Sequence, residues 1–250
     1  MASDVVPRVV ELLAAPSSAR ALQYEAAWLL SNVVYGDEAQ TRSVVEAGGL
    51  DALVAVVRRT DDAELAAQAL WACANVAGDA AFRPAVVAAG AVGALAEALG
   101  RATADGTPLD GTLAENGAWL LCNLVRHESD CGGDAALLWQ MSSCLTTLLL
   151  RAPEDNEAAL GDAAWAAARL LADEHAEANL QTLLHHPSGG RDALRELLPR
   201  IGTLVHHPCA RVQELLRATA KRVCDVLAED EALLCDGLAH VAAAMAPMVD

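Results

Sequence analysis

Apolar residues recur at i, i+3, i+4 and i+7 along most of the 250-residue chain, in segments filled by Ala, Leu, Glu and Arg, while β-branched runs stay short and Gly or Pro separates one segment from the next. That period places one apolar stripe on each segment and predicts a succession of amphipathic helices. One segment then repeats. QYEAAWLLSNVVYGD around Trp28 returns as AAQALWACANVAGD around Trp71, as AENGAWLLCNLVRHE around Trp119 and, more faintly, as LGDAAWAAARLLADE around Trp165, in steps of 43, 48 and 46 residues.

Steps of this size suit units of two or three helices stacked into a solenoid. TRSVVEAGGLDALVAVVRR splits at Gly48 and Gly49 into a short and a longer helix ahead of the Trp71 segment, and PAVVAAGAVGALAEALG splits at Gly90 ahead of the Trp119 segment. A short helix, a glycine turn and two longer helices form the armadillo pattern, so the expected fold is all-α, a right-handed armadillo-repeat superhelical solenoid in a single domain. Expected units are a partial one at 1–36, then 37–79, 80–127 and 128–173, with a degenerate unit and a closing helix pair in 174–250, where turns fall at HHPSGG (185–190) and HHPC (206–209). The Gly-, Pro- and Asp-rich insertion ATADGTPLDGT accounts for the longer step to Trp119.

Composition narrows the chemistry. The chain is 54% apolar but only 3% aromatic, and Trp supplies five of those aromatics against two Tyr and one Phe. A core built from Ala, Leu and Val does not account for the tryptophans. Lys and Arg number 17 against 34 Asp and Glu, a net charge of −17, which argues against nucleic acid or an anionic membrane as partner and for a basic ligand. No run reaches the roughly 20 apolar residues of a membrane span, and no secretory leader is evident. Seven cysteines without a CxxC spacing read as reduced thiols of a cytoplasmic or nuclear protein.

Trp-x-x-x-Asn occurs at Trp28/Asn32, Trp71/Asn75 and Trp119/Asn123, at the same place in each repeated segment. Residues four apart share a helical face, so stacking aligns three indoles and three carboxamides in parallel rows. A single Trp in an Ala-rich helix is ordinarily core; three in register with Asn are better explained by a ligand. A carboxamide donates and accepts and can hold the backbone of an extended peptide, while indole slots suit the alkyl stems and cationic heads of Lys and Arg. Stacked helices lie about 8–10 Å apart and an extended chain rises about 3.3 Å per residue, so three rungs would grip roughly five to seven residues. Asp79, just past the end of the Asn75 helix, would give a lysine its counter-charge. Trp139, followed by Ser143 at i+4, breaks the pattern and is assigned to the core.

WACANVAGD (71–79) together with YGDEAQTRSVVEAG (35–48) resembles the armadillo domain of importin-α, the adaptor for nuclear localisation signals, with residues 5–175 carrying the resemblance. It implies that the three Trp/Asn pairs form the signal-binding groove and that the signal's key lysine meets Asp79, the Thr41 hydroxyl and the Gly36 carbonyl. It also implies polar groove residues three before each Trp, here Gln68, Asn116 and Asp162, and a fourth rung at Trp165. Expected partners are therefore Lys/Arg-rich segments of cargo proteins, and the expected role is import into the nucleus, with a general armadillo interaction scaffold as the alternative.

Departures from the family pattern are as informative. Trp165 is followed by Arg169 where a carboxamide belongs, and LLRATAKRV offers only Arg217 and Lys221 where the minor groove's Trp/Asn repeats are expected. The chain reads as truncated relative to the family, without the basic segment that recruits importin-β, which puts importin-β in doubt as a partner. His185/His186 and His206/His207 precede prolines and lack zinc-site spacing. No nucleophile, phosphate-loop or dinucleotide motif occurs, so neither metal, cofactor nor catalytic residue is expected.

Overall fold

A computed structural model describes residues 5–126, 134–171, 176–188 and 190–227. The expected closing helix pair falls partly in 228–250, outside the described residues. The described chain is helical throughout: α1 (Val5–Ala14), α2 (Arg20–Val34), α3 (Glu38–Glu46), α4 (Gly49–Arg59), α5 (Ala63–Gly78), α6 (Arg83–Ala88), α7 (Ala91–Ala102), α8 (Gly111–Leu124), α9 (Ala135–Arg151), α10 (Glu157–Leu171), α11 (Ala176–Leu184), α12 (Gly190–Leu204) and α13 (Ala210–Leu227). Helices α2, α5, α8, α10 and α13 pack side by side in one row, and α1, α4, α7, α9 and α12 form a second row against it. Short helices α3, α6 and α11 join one level to the next. All four motif tryptophans lie on the first row.

Local chemistry sets the breaks. Gly48 and Gly90 each adopt a left-handed conformation, φ 78°, at the sharp turn between a short and a longer helix, a region closed to most side chains. Asp37, Asp62, Asp110 and Asp134 accept backbone N–H bonds at the N-termini of α3, α5, α8 and α9, where helix ends expose unpaired donors and positive potential. Part of the chain's acidity is thus spent on capping. In the insertion after α7, Gly106 turns at φ 81°, while buried Leu109 donates its N–H to the Arg151 carbonyl at 2.9 Å. This pins the loop to the end of α9.

One core runs the length of the described chain, from Leu13 and Leu30 through Leu53, Leu70, Leu95 and Leu121 to Leu145, Leu198 and Leu216. Arginines staple the second row. Arg59 donates to the Leu13 carbonyl at 2.7 Å, Arg101 to Val57 at 2.6 Å and Arg200 to Leu149 at 2.9 Å. Each reaches from its own helix to the C-terminal carbonyls of the preceding helix in the row, where carbonyls lack intrahelical donors; the Leu13 carbonyl also takes Gln23 Nε2 at 3.4 Å. His207 is buried, with Nε2 on the Glu154 carbonyl and Nδ1 accepting the Cys209 N–H, a loop-locking role. Trp139 packs against the core and stacks on His186 with centroids 4.8 Å apart.

Candidate functional site

The repeated segments bring their carboxamides into an inter-helix ladder. Asn75 Nδ2 donates to the Ser31 carbonyl of α2 at 3.4 Å, and Asn123 Nδ2 to the Ala74 carbonyl of α5 at 2.8 Å. Ser31 and Ala74 each follow their own motif Trp by three residues, so the two bonds are equivalent. Asn32 instead turns back to the Trp28 carbonyl of its own helix at 2.8 Å. The expected free carboxamides are therefore partly engaged within the fold. Asn123 is 1% exposed, and its Oδ1 has no hydrogen-bond partner. Such a buried acceptor costs free energy until a donor reaches it.

The residues three before each Trp are engaged as well. Gln68 is buried at 6% exposure and donates to Ser31 Oγ at 3.2 Å. Asn116 Nδ2 donates to the Ala67 carbonyl at 2.9 Å. Asp162 takes Arg211 Nη2 of α13 at 3.1 Å, and burial holds its carboxyl above the usual range, partly offset by Arg211 and Arg126. These side chains tie adjacent helices of the row together, where the resemblance implied groove-facing groups. Among the tryptophans, Trp28 is 48% exposed, Trp71 is half-buried, and Trp119 and Trp165 are partly buried against the core.

Six of the sequence-predicted residues converge. Gly36, Thr41, Asn75, Asp79, Trp119 and Asn123 line one open cleft of about 290 Å³ between the α2–α3 turn, the end of α5 and α8. Trp28, Asn32, Gln68, Trp71, Asn116, Asp162 and Trp165 lie outside its lining. The turn is held by a reciprocal cap: Gln40 donates its N–H to Asp37 Oδ1 at 2.9 Å and returns its Oε1 to the Asp37 N–H at 2.9 Å. Thr41 is 4% exposed and its hydroxyl donates to the Val34 carbonyl at 3.2 Å, leaving its oxygen as an acceptor. On the opposite wall Asp79 ends α5. Its Oδ1 accepts the Ala81 N–H at 2.9 Å, and no cation pairs with it among the described residues.

Sequence reasoning missed three features of this site. Arg83 is 2% exposed and donates Nε to the Ala77 carbonyl at 2.8 Å and Nη2 to Gly78 at 3.4 Å, closing the α5 C-terminus immediately before Asp79. Tyr35, 82% exposed, stands at the cleft's edge. Arg126 lines the cleft with its guanidinium 5.6 Å from the Trp119 ring centroid. The Arg126 signal was present in the third repeat, where the segment reads NLVRHE against NVAGD in the second.

Comparison with known proteins bears on what such a cleft belongs to. No protein-family model matches the chain. Importin subunit alpha-1b of Oryza sativa subsp. japonica is 29% identical over 211 residues, 84% of this chain and 35% of that protein. Importin subunit alpha-2 of Arabidopsis thaliana is 32% identical over 165 residues, 66% of this chain and 28% of that one. This is an armadillo-repeat protein similar to importin-α. It spans about a third of the length of these relatives. Among solved structures, a designed armadillo repeat protein in complex with the peptide (KR)4 superimposes with TM-score 0.64 at 22% identity, covering 87% of this chain and 81% of its own. A computationally designed armadillo repeat protein for modular peptide recognition does so with TM-score 0.66 at 19% identity, covering 96% and 98%. At those identities the likeness establishes the fold. No helix among the described residues is long and apolar enough to cross a membrane.

Proposed function

We propose that this importin-α-like chain is an adaptor that binds a short, extended, Lys/Arg-rich peptide of the nuclear-localisation-signal type, and that it serves protein import between cytoplasm and nucleus. The observation that carries this reading is the convergence of Asp79, Thr41, Gly36 and the two carboxamides of Asn75 and Asn123 in one open cleft, with the Asp79 carboxylate unmatched by any described cation. A lysine ammonium needs three acceptors. In this account the Asp79 carboxylate, the Thr41 oxygen and the Gly36 carbonyl provide them. Asn123 Oδ1 accepts a backbone N–H of the ligand, Asn75 and Asn32 hold its main chain on either side, and Trp28 and Trp71 pack its side-chain stems, Trp119 being covered by Arg126. The importin-α relatives support the ligand class, and the (KR)4 complex of a designed armadillo protein supports a basic peptide on this fold.

A charge-assisted bond to a partly desolvated carboxylate contributes about 1.5–3 kcal/mol, equivalent to roughly ten- to a hundredfold in affinity. Fluorescence anisotropy with a labelled lysine-rich heptapeptide should therefore show saturable binding at low salt and at least a tenfold loss in Asp79→Lys. Undiminished binding by that variant would overturn the reading.

A second reading has its own support. The bonds from Asn75, Asn123, Gln68 and Asn116 to the preceding helix give the repeated motif a purely structural use, as a general interaction scaffold would need. That reading expects partner capture to survive a Trp71→Ala/Asn75→Ala double change that leaves the helical content intact. The adaptor reading expects the same change to abolish peptide binding.

A further inference from the structure

We propose that the cleft selects a charge-split peptide, in which a lysine on Asp79 is accompanied, two residues away, by an Asp or Glu lying against Arg126. This rests on the peptide-binding reading and adds the ligand's charge pattern to it.

Arg126 lies two residues past the end of α8, exposed, with its guanidinium over the Trp119 ring. The chain's own cation therefore covers the indole face that a third basic ligand side chain would use. A second cation there would lose that face to Arg126 and meet its repulsion. Arg126 has no carboxylate partner among the described residues. Asp162, whose carboxyl feels the Arg126 charge, is already held by Arg211 at 3.1 Å.

The cleft's acids lie away from Arg126: Asp37 and Glu38 on the α2–α3 turn, where Glu38 is paired with Arg42 and Asp37 caps α3, and Asp79 at the end of α5, where it faces no cation among the described residues. One cleft thus presents the Asp79 carboxylate and the Arg126 guanidinium, each without an ion-pair partner among the described residues. The 1%-exposed Asn123, with its unpartnered Oδ1, lines the cleft alongside them and supplies an acceptor for a main-chain N–H. Side chains of an extended peptide point to the same side every second residue, about 6.6 Å apart. A lysine and an acid at i and i±2 can then address both walls of a cleft of about 290 Å³.

The test uses the full chain and anisotropy with five lysine-centred heptapeptides: one with Ala on both sides, and pairs carrying Asp or Arg at position −2 or at +2. One Asp peptide should bind at least fivefold more tightly than its Arg counterpart, and the side on which it does so fixes the peptide's direction. Arg126→Gln should remove that preference and Arg126→Glu should reverse it, with helicity by circular dichroism unchanged because the residue is exposed. Arg peptides that bind as well as or better than Asp peptides on both sides, or a preference that survives Arg126→Gln, would overturn the proposal. If the Ala peptide binds and depends on Asp79 while Asp brings no gain, the charge-split proposal alone falls; if no peptide binds, the peptide-binding reading falls with it.

Discussion

Asp79 owes its position to Arg83. The guanidinium sits in the core side of the α5–α6 turn and satisfies the last carbonyls of α5, so the carboxylate emerges from a fixed helix end. Arg83→Met would leave buried acceptors unpaired at a cost of about 1–3 kcal/mol. It should lower the urea midpoint and also weaken peptide binding, whereas an unchanged midpoint would show that the arginine is dispensable to the turn. Cysteine chemistry follows from burial in the same way. Burial pushes the Cys73, Cys122 and Cys144 thiols up to about 12, so they remain protonated and unreactive at pH 8. A thiol reagent should label these three only after denaturation, and their labelling in the folded chain would contradict the packing. At this scale the sequence showed which residues to watch but not what occupies them. Asn123 read as a groove group because spacing reveals a shared face, and Gln68 because the resemblance implied it, yet neither can tell whether the neighbouring helix consumes their N–H groups.

Helices were legible because their signals are local: a 3.6-residue apolar stripe, Asp or Asn at the start, glycine at the break. Gly48 and Gly90, read as turns, hold positive φ between helices. Either one changed to Ala should destabilise the chain by about 1 kcal/mol, measured by urea unfolding. The arginine staples were not legible, because an Arg on an amphipathic helix, in the last turn as for Arg59 and Arg101 or a turn earlier as for Arg200, looks like any solvated cation. Only the stacked partner shows that Arg59, Arg101 and Arg200 end on another helix's carbonyls. Acid stability belongs to this scale too. The hydrogen bond from Arg20 holds the Asp62 carboxyl, the cap of α5, below the usual carboxylate range. A carboxylate with a depressed folded value contributes stability above its unfolded value, about 4, and loses it as pH falls through the lower folded one. Arg20→Gln should therefore flatten the dependence of the urea midpoint on pH between about 5 and 2. An unaltered profile would assign the acid transition elsewhere.

For the whole molecule, the net charge of −17 divides into distinct duties. Asp37, Asp62, Asp110 and Asp134 cap helices, Asp162 and Glu154 pair with Arg211 and Arg200, and Asp79 stays available in the cleft. The total charge that pointed to a basic partner thus includes a carboxylate, Asp79, placed in the cleft itself. The tryptophan row divides likewise: Trp28 is open, Trp119 is covered by the chain's own Arg126, and Trp165 stands beside a helix row tied off by Asp162 and Arg211. The repeat was readable as a fold because self-similarity survives weak identity, but the cleft's second sign was not, since Arg126 acts through a ring on its own helix and faces a wall some 50 residues earlier in the chain.

Everything proposed for this cleft depends on Asp79 holding a ligand cation. The most direct test is an anisotropy titration of one lysine-rich heptapeptide against the unaltered chain and Asp79→Lys at low and physiological salt. The expected result is saturable binding that weakens as salt rises and falls at least tenfold in the variant. Equal binding by both proteins, or none by the unaltered chain at low salt, would contradict it.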